Sequence, residues 1–218
     1  MSILIVLLMF LLVMSVSYFR AQTELPAKPH AAGPRPIRME HAYGFQLPEG
    51  YCFHPGHTWA LKEGPETARV GIDAFATNLL GRIDRIDVMG ENRWVRQGQK
   101  LMTVKSVDVV VDFLSPVEGV VTALNSDALS DPGLVARDPY SQGWIATVKS
   151  PELATNQHNL VQGSMVAPWL QNSITRLNSM VGPLAPTMAA DGGIPLGGLL
   201  SRVEPELRQK LAKEFFLS

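Results

Sequence analysis

Cysteine is nearly missing from this chain of 218 residues: Cys52 stands alone, which excludes an internal disulfide framework and a Cys-rich zinc site. Surplus charge is missing too. Nineteen Lys and Arg against 20 Asp and Glu leave a net charge of −1, and no basic cluster stands out. A nucleic-acid partner needs such a cluster to neutralise phosphates, so that class is excluded. The glycines at turns, such as Gly81, Gly119 and Gly143, compose no phosphate-binding loop. No repeat of domain length occurs. Long hydrophobic runs are confined to the N-terminus, which raises the mean hydropathy to +0.08.

That run, residues 3–19, reads "ILIVLLMFLLVMSVSYF". At 1.5 Å per residue it covers about 25 Å, the short end of what spans a bilayer. The expectation is a single-pass anchor over residues 1–20, carried by Ile3, Leu8, Phe10 and Val13, with Tyr18 at the interface. Arg20, Lys28, Arg35 and Arg38 follow it, and positive flanks stay inside, so the soluble part is expected on the cytoplasmic side of a bacterial-type inner membrane. The competing reading is a cleaved signal ending near Ser15 and Ser17, which would make the chain periplasmic or secreted. It lacks the basic residues that should precede the apolar run.

Residues 21–50 contain Pro26, Pro29, Pro34, Pro36 and Pro48 and read as a linker, extended where proline blocks helix. Residues 51–181 carry the globular domain. A strand at 68–72 leads to Asp73, placed as an N-cap for the helix "AFATNLL" that Gly81 stops. "RIDRIDV" reads as a half-exposed strand, "GVVTALN" and "GWIATVK" as two more, and residues 160–181 as helical. In "KSVDVVVDF", Val107, Val109, Val111 and Phe113 share one face; Ser106, Asp108, Val110 and Asp112 share the other. The fold class is mainly β, a small barrel or sandwich with a few short helices. Residues 182–203 read as a connector rich in Gly, Pro and Ala. Residues 204–218 read as an amphipathic helix opened by Pro205, with Leu207, Leu211, Phe215 and Phe216 available for a protein partner or a membrane surface.

Candidate chemistry is thin. His54 and His57 are three apart, but Pro55-Gly56 between them makes a turn held by hydrogen bonds, and no third metal ligand follows. Asp84 and Asp87 point from opposite faces of one strand and form no acid/base pair. Ser115 has no base beside it. Trp59, Trp94 and Trp144 read as core or rim aromatics. No catalytic set emerges, and the chain is expected not to be an enzyme.

Several local patterns resemble the H protein of the glycine cleavage system, the lipoyl-bearing carrier: "HTW" at 57–59, "ARVGIDAFATNLLG", "SPVEGVV" and "DPYSQGW" at 138–144. The resemblance implies a lipoyl-type flattened β-barrel or sandwich. It also implies a lysine at a hairpin tip, in a Glu-Ser-Val-Lys-Ala pattern, to which lipoate is attached. In this chain the same register reads Lys105-Ser106-Val107-Asp108-Val109. An amide to lipoate needs an amine, and Asp108 supplies a carboxylate. Lys105 lies three positions away, an odd shift that reverses the face of a strand.

Three functions follow as expectations. The first is a non-catalytic, membrane-anchored scaffold or accessory subunit, bound to other subunits of a membrane complex and holding no cofactor. The second is a lipoyl carrier for one-carbon or sulfur metabolism. The third is an efflux-type adaptor, which would place a long helical hairpin inside the domain.

Overall fold

In a computed structural model of the chain, residues 9–10, 12, 14–15, 39–106, 109–182 and 197–216 are described. They fall into two compact units, Met1–Pro36 and Ile37–Ser218. In the first, Ile3, Leu8, Val13 and Tyr18 lie outside the described residues, and Phe10 is helical and exposed. Among the described residues, no helix is long and apolar enough to cross a membrane, so the expected anchor finds no support there.

The second unit is mainly β. It opens with a hairpin, β1 (Met39–Ala42) and β2 (Phe45–Pro48), which corrects the reading of residues 21–50 as linker throughout. Tyr43 and Gly44 between the strands both have positive φ, 55° and 82°, the pair of values a two-residue type I′ turn requires. Phe45 and Leu47, two apart, are buried while Gln46 between them is exposed, so the strand period decides where the linker ends.

Seven strands form the main sheet in the order β12-β3-β4-β5-β11-β10-β7. They are β3 (Tyr51–Phe53), β4 (Thr58–Lys62), β5 (Thr67–Ile72), β7 (Trp94–Val95), β10 (Gly119–Leu124), β11 (Ala146–Lys149) and β12 (Val161–Gln162). A second sheet, β6-β8-β9, holds β6 (Arg85–Val88), β8 (Lys100–Ser106) and β9 (Val109–Leu114). Short helices join them: α1 (Ala74–Leu80), α2 (Ser126–Ser130), α3 (Gly133–Arg137) and α4 (Leu153–His158). No helix among the described residues 51–165 exceeds the seven residues of α1, which leaves no room for the long hairpin of an adaptor. Trp59, Phe53, Phe75 and Phe113 anchor one continuous core. Trp59 is fully buried, Trp94 is half exposed, and Trp144 lies under the Arg69 guanidinium at 5.1 Å.

Asp73 caps α1 as expected: its Oδ1 accepts from the Ala76 N–H at 2.8 Å, and Gly81 ends the helix with φ 73°. The stretch "KSVDVVVDF" is not one strand. β8 and β9 pair antiparallel from Lys100↔Leu114 to Ser106↔Val109, so the chain reverses between Ser106 and Val109. Val109, Val111 and Phe113 face the core and Val110 faces out, as read. Ser106 belongs instead to the buried face of β8, with Val104 and Met102.

The C-terminal segment differs most from expectation. Residues 183–196 lie outside the described residues, but the connector reading fails at its end, where Leu199–Arg202 form α6 against α1. After it, α7 (Pro205–Phe216) packs on β9 and on α5 (Val166–Val181). Leu211, Phe215 and Phe216 are fully buried, which takes these three out of the set available to a partner, and Leu207 is partly buried beside them. Phe215 meets Phe75 at 5.3 Å and Phe216 meets Phe113 at 5.0 Å. An apolar helix face finds its own domain when that domain leaves a matching face open. Each of these side chains then stabilises the closed form by roughly 1.5–3 kcal/mol.

Candidate functional site

The β8–β9 hairpin carries the position that decides between the readings. Register fixes its base: Lys105 pairs with Val110 and Ser106 with Val109, leaving Val107 and Asp108 between the strands, outside the described residues. The base is tied to the core. Ser106 Oγ donates to the Leu80 carbonyl at 3.2 Å, joining the hairpin to the last turn of α1.

Around this base lies an open, polar surface. The Lys105 side chain is about half exposed, and its Nζ sits 3.2 Å from Asp87 Oδ2. Arg85 Nε donates to the other Asp87 oxygen at 2.6 Å. Hydrogen bonds from Arg85 and Lys105 hold the Asp87 carboxyl below its ordinary range. On the outer face, Asp112 is pushed up by burial. The Thr103 hydroxyl and the Lys100 ammonium outweigh that, so its carboxyl too sits low. Val110 stands 66 % exposed between these charges. Such a surface can recognise a protein; it offers no enclosed space for chemistry.

The remaining sequence candidates are structural. His54 Nδ1 accepts from the Gly56 N–H at 3.0 Å, the side-chain hydrogen bond expected of that turn. Burial, then the neighbouring His57, lowers its pKa. Asp84 is paired with Arg82 at 2.9 Å, away from Asp87's partners. Ser115 is buried and donates to the Val117 carbonyl at 2.6 Å. Among the described residues no group of three or more His, Cys, Asp or Glu could hold a metal ion.

One pair escaped sequence reasoning. His57 Nδ1 lies 2.7 Å from Asp73 Oδ2, with both residues buried. Strands β4 and β5 pair Thr58 with Ile72, so the residues one step beyond, 57 and 73, must face each other. The signal was present, since a hairpin of those strands brings them together, but it needed the register. His57 stacks on Phe75 at 4.4 Å and meets the tilted Trp169 ring at 4.8 Å, and its Nε2 has no hydrogen-bond partner.

Comparison with known proteins places these features in context. A family model described as "Glycine cleavage H-protein" matches residues 51–173. The glycine cleavage system H protein of Cyanothece sp. is 36% identical over 113 residues, 51% of this chain and 87% of that protein. That of Legionella pneumophila (strain Corby) is 39% identical over 97 residues, 44% of this chain and 77% of that protein. A probable glycine cleavage system H protein of Haloarcula marismortui is 34% identical over 105 residues, 48% and 82% of the two chains. Among solved structures, the H protein from Mycobacterium marinum aligns with a TM-score of 0.45 at 26% identity, covering 48% of this chain and 87% of that one.

Proposed function

The chain belongs to the glycine cleavage H-protein family, and from that premise we propose that it uses the carrier fold without the carried group. On this reading it is a non-catalytic contact module, a scaffold or accessory subunit of a larger membrane complex, tethered by residues 1–20. The observation that carries the reading is the residue between Ser106 and Val109. Asp108 offers a carboxylate where the family resemblance puts the acylated lysine. Attachment of lipoate condenses its carboxyl with an amine, and two carboxyls form no amide. The mixed charged surface beside the hairpin, with Val110 exposed in its midst, supports a protein-contact role. The apolar run of residues 3–19 supports the tether.

The second reading is a lipoyl carrier, favoured by what the relatives are named for and by the exposed amine of Lys105. It asks Lys105 to serve from within β8, where Asp87 holds it and Val110 is its cross-strand neighbour. Intact-mass measurement after co-expression with a lipoate-attaching enzyme separates the two. The native chain should carry no lipoyl mass, and the double variant Lys105→Glu, Asp108→Lys should gain one. A lipoyl mass on the native chain, mapped to Lys105, would establish the carrier. Gentle detergent extraction of native membranes should recover the chain in a larger assembly; recovery as a lone soluble chain would end the scaffold reading.

A further inference from the structure

We propose that α1, β9 and α5 form a helix-binding groove, filled in cis by α6 and α7, and that this C-terminal pair is a releasable cover over His57. The groove and its cover differ in origin. α1, β9 and the first half of α5 lie within the family match at 51–173, whereas α6 and α7 lie beyond it. The contact is that of a partner helix in a groove: Leu200, Leu211, Phe215 and Phe216 enter fully, and polar ties flank them. Gly198 N–H donates to the Asn78 carbonyl at 2.8 Å, and Glu214 meets Arg176 at 2.7 Å on exposed surface.

The floor of the groove shows where closure carries a cost. Phe215 lies 6.1 Å from the His57 ring and Trp169 lies 4.8 Å away, sealing it from water. Asp73, a carboxylate acceptor, engages Nδ1, which leaves Nε2 as the imidazole nitrogen that Asp73 does not hold. Nε2 has no partner there. A polar atom buried without a partner is a cost that water repays, so lifting α7 relieves the closed form at this one atom. Release then exposes an imidazole nitrogen whose tautomer and direction Asp73 has already set, a nucleophile toward small electrophiles. Release also uncovers Phe113 of β9, which Phe216 meets at 5.0 Å. The inference stands apart from the reading of residue 108 and does not depend on it.

The test uses the full chain with a protease site inserted between Ala190 and Asp191. After cleavage, a labelled peptide of residues 197–218 should exchange into the protein at one equivalent, with the β-sheet circular dichroism unchanged. Reactivity of His57 is read with diethyl pyrocarbonate. Nε2 attacks one carbonyl carbon, the anhydride C–O bond breaks, ethyl carbonate leaves, and the Nδ1 proton passes to Asp73 or water. His57 should be protected in the parent and react at least tenfold faster in the uncut Phe215→Ala, Phe216→Ala chain, with its sheet signal retained. Three results would overturn the proposal. They are loss of the sheet signal as the fragment leaves, a fragment that never exchanges, and a His57 as slow in the double variant as in the parent. Mixed-label dimers formed by exchange between copies would assign the groove to a second chain and also overturn the cis cover.

Discussion

Asp73 serves two partners at once: Oδ1 accepts from the Ala76 N–H of the first turn of α1, and Oδ2 meets His57 Nδ1. Removing it with Asp73→Ala uncaps the helix and leaves a buried imidazole nitrogen without its acceptor. Those losses are about 1 kcal/mol for the cap and about 1–3 kcal/mol for the orphaned donor. The expected outcome is a loss of roughly 2–4 kcal/mol in urea unfolding, with Asp73→Asn, which keeps a capping oxygen, losing clearly less. Equal losses for the two variants would show that the cap is not what matters. Half of this residue's work was legible beforehand. An Asp directly before "AFATNLL" is a helix start by short-range hydrogen bonding alone. Its second partner sits 16 residues earlier, and only the β4–β5 register brings it near.

The sheet β6-β8-β9 carries exposed ion pairs, and its carboxyls set a pH dependence. Asp87 and Asp112 both lie below the ordinary carboxyl value of 3.8. A depressed pKa means that the folded form favours the charged state. The stabilisation is therefore complete above the ordinary value and is lost as the pH falls through the lower folded one. The melting temperature should decline as the pH drops below about 4, and Asp112→Asn should flatten that decline while lowering the plateau at neutral pH. An unchanged acid limb in the variant would mean that Thr103 and Lys100 hold Asp112 without stabilising the fold. The faces of β9 were readable from the alternation Val109-Val110-Val111-Asp112-Phe113. The break between two strands was implied by the family resemblance, which puts a hairpin tip at residue 108, and not by local signals, because "SVDV" carries no glycine, proline or asparagine to mark a reversal.

Across the whole second unit, the family domain and the C-terminal extension meet where two glycines touch. Gly81 has φ 73°, and a Cβ placed on it would lie 2.4 Å from Gly198 Cα, backbone that has no side chain to move aside. Gly81→Ala should therefore cost about 1–3 kcal/mol for the backbone conformation alone. It should also push α6 off α1. The check is paired: a lower urea midpoint together with faster carbethoxylation of His57. A variant that loses stability while His57 stays protected would separate the glycine's local role from the seating of the cover.

By itself the sequence determined the family, the capped helix α1, the strands β5, β6, β9, β10 and β11, and the carboxylate at residue 108. These depend on residue identity, on alternation and on hydrogen bonds within a few positions, which any reading of the chain can follow. Only the tertiary structure decided that residues 39–48 form a hairpin with a buried face. It likewise decided that Ser106 turns inward to Leu80, that His57 finds Asp73, and that α7 lies on its own domain. The physical reason is common to all of these. An amphipathic segment specifies that an apolar face must be covered but not what covers it, and that choice falls to whichever distant face matches its shape.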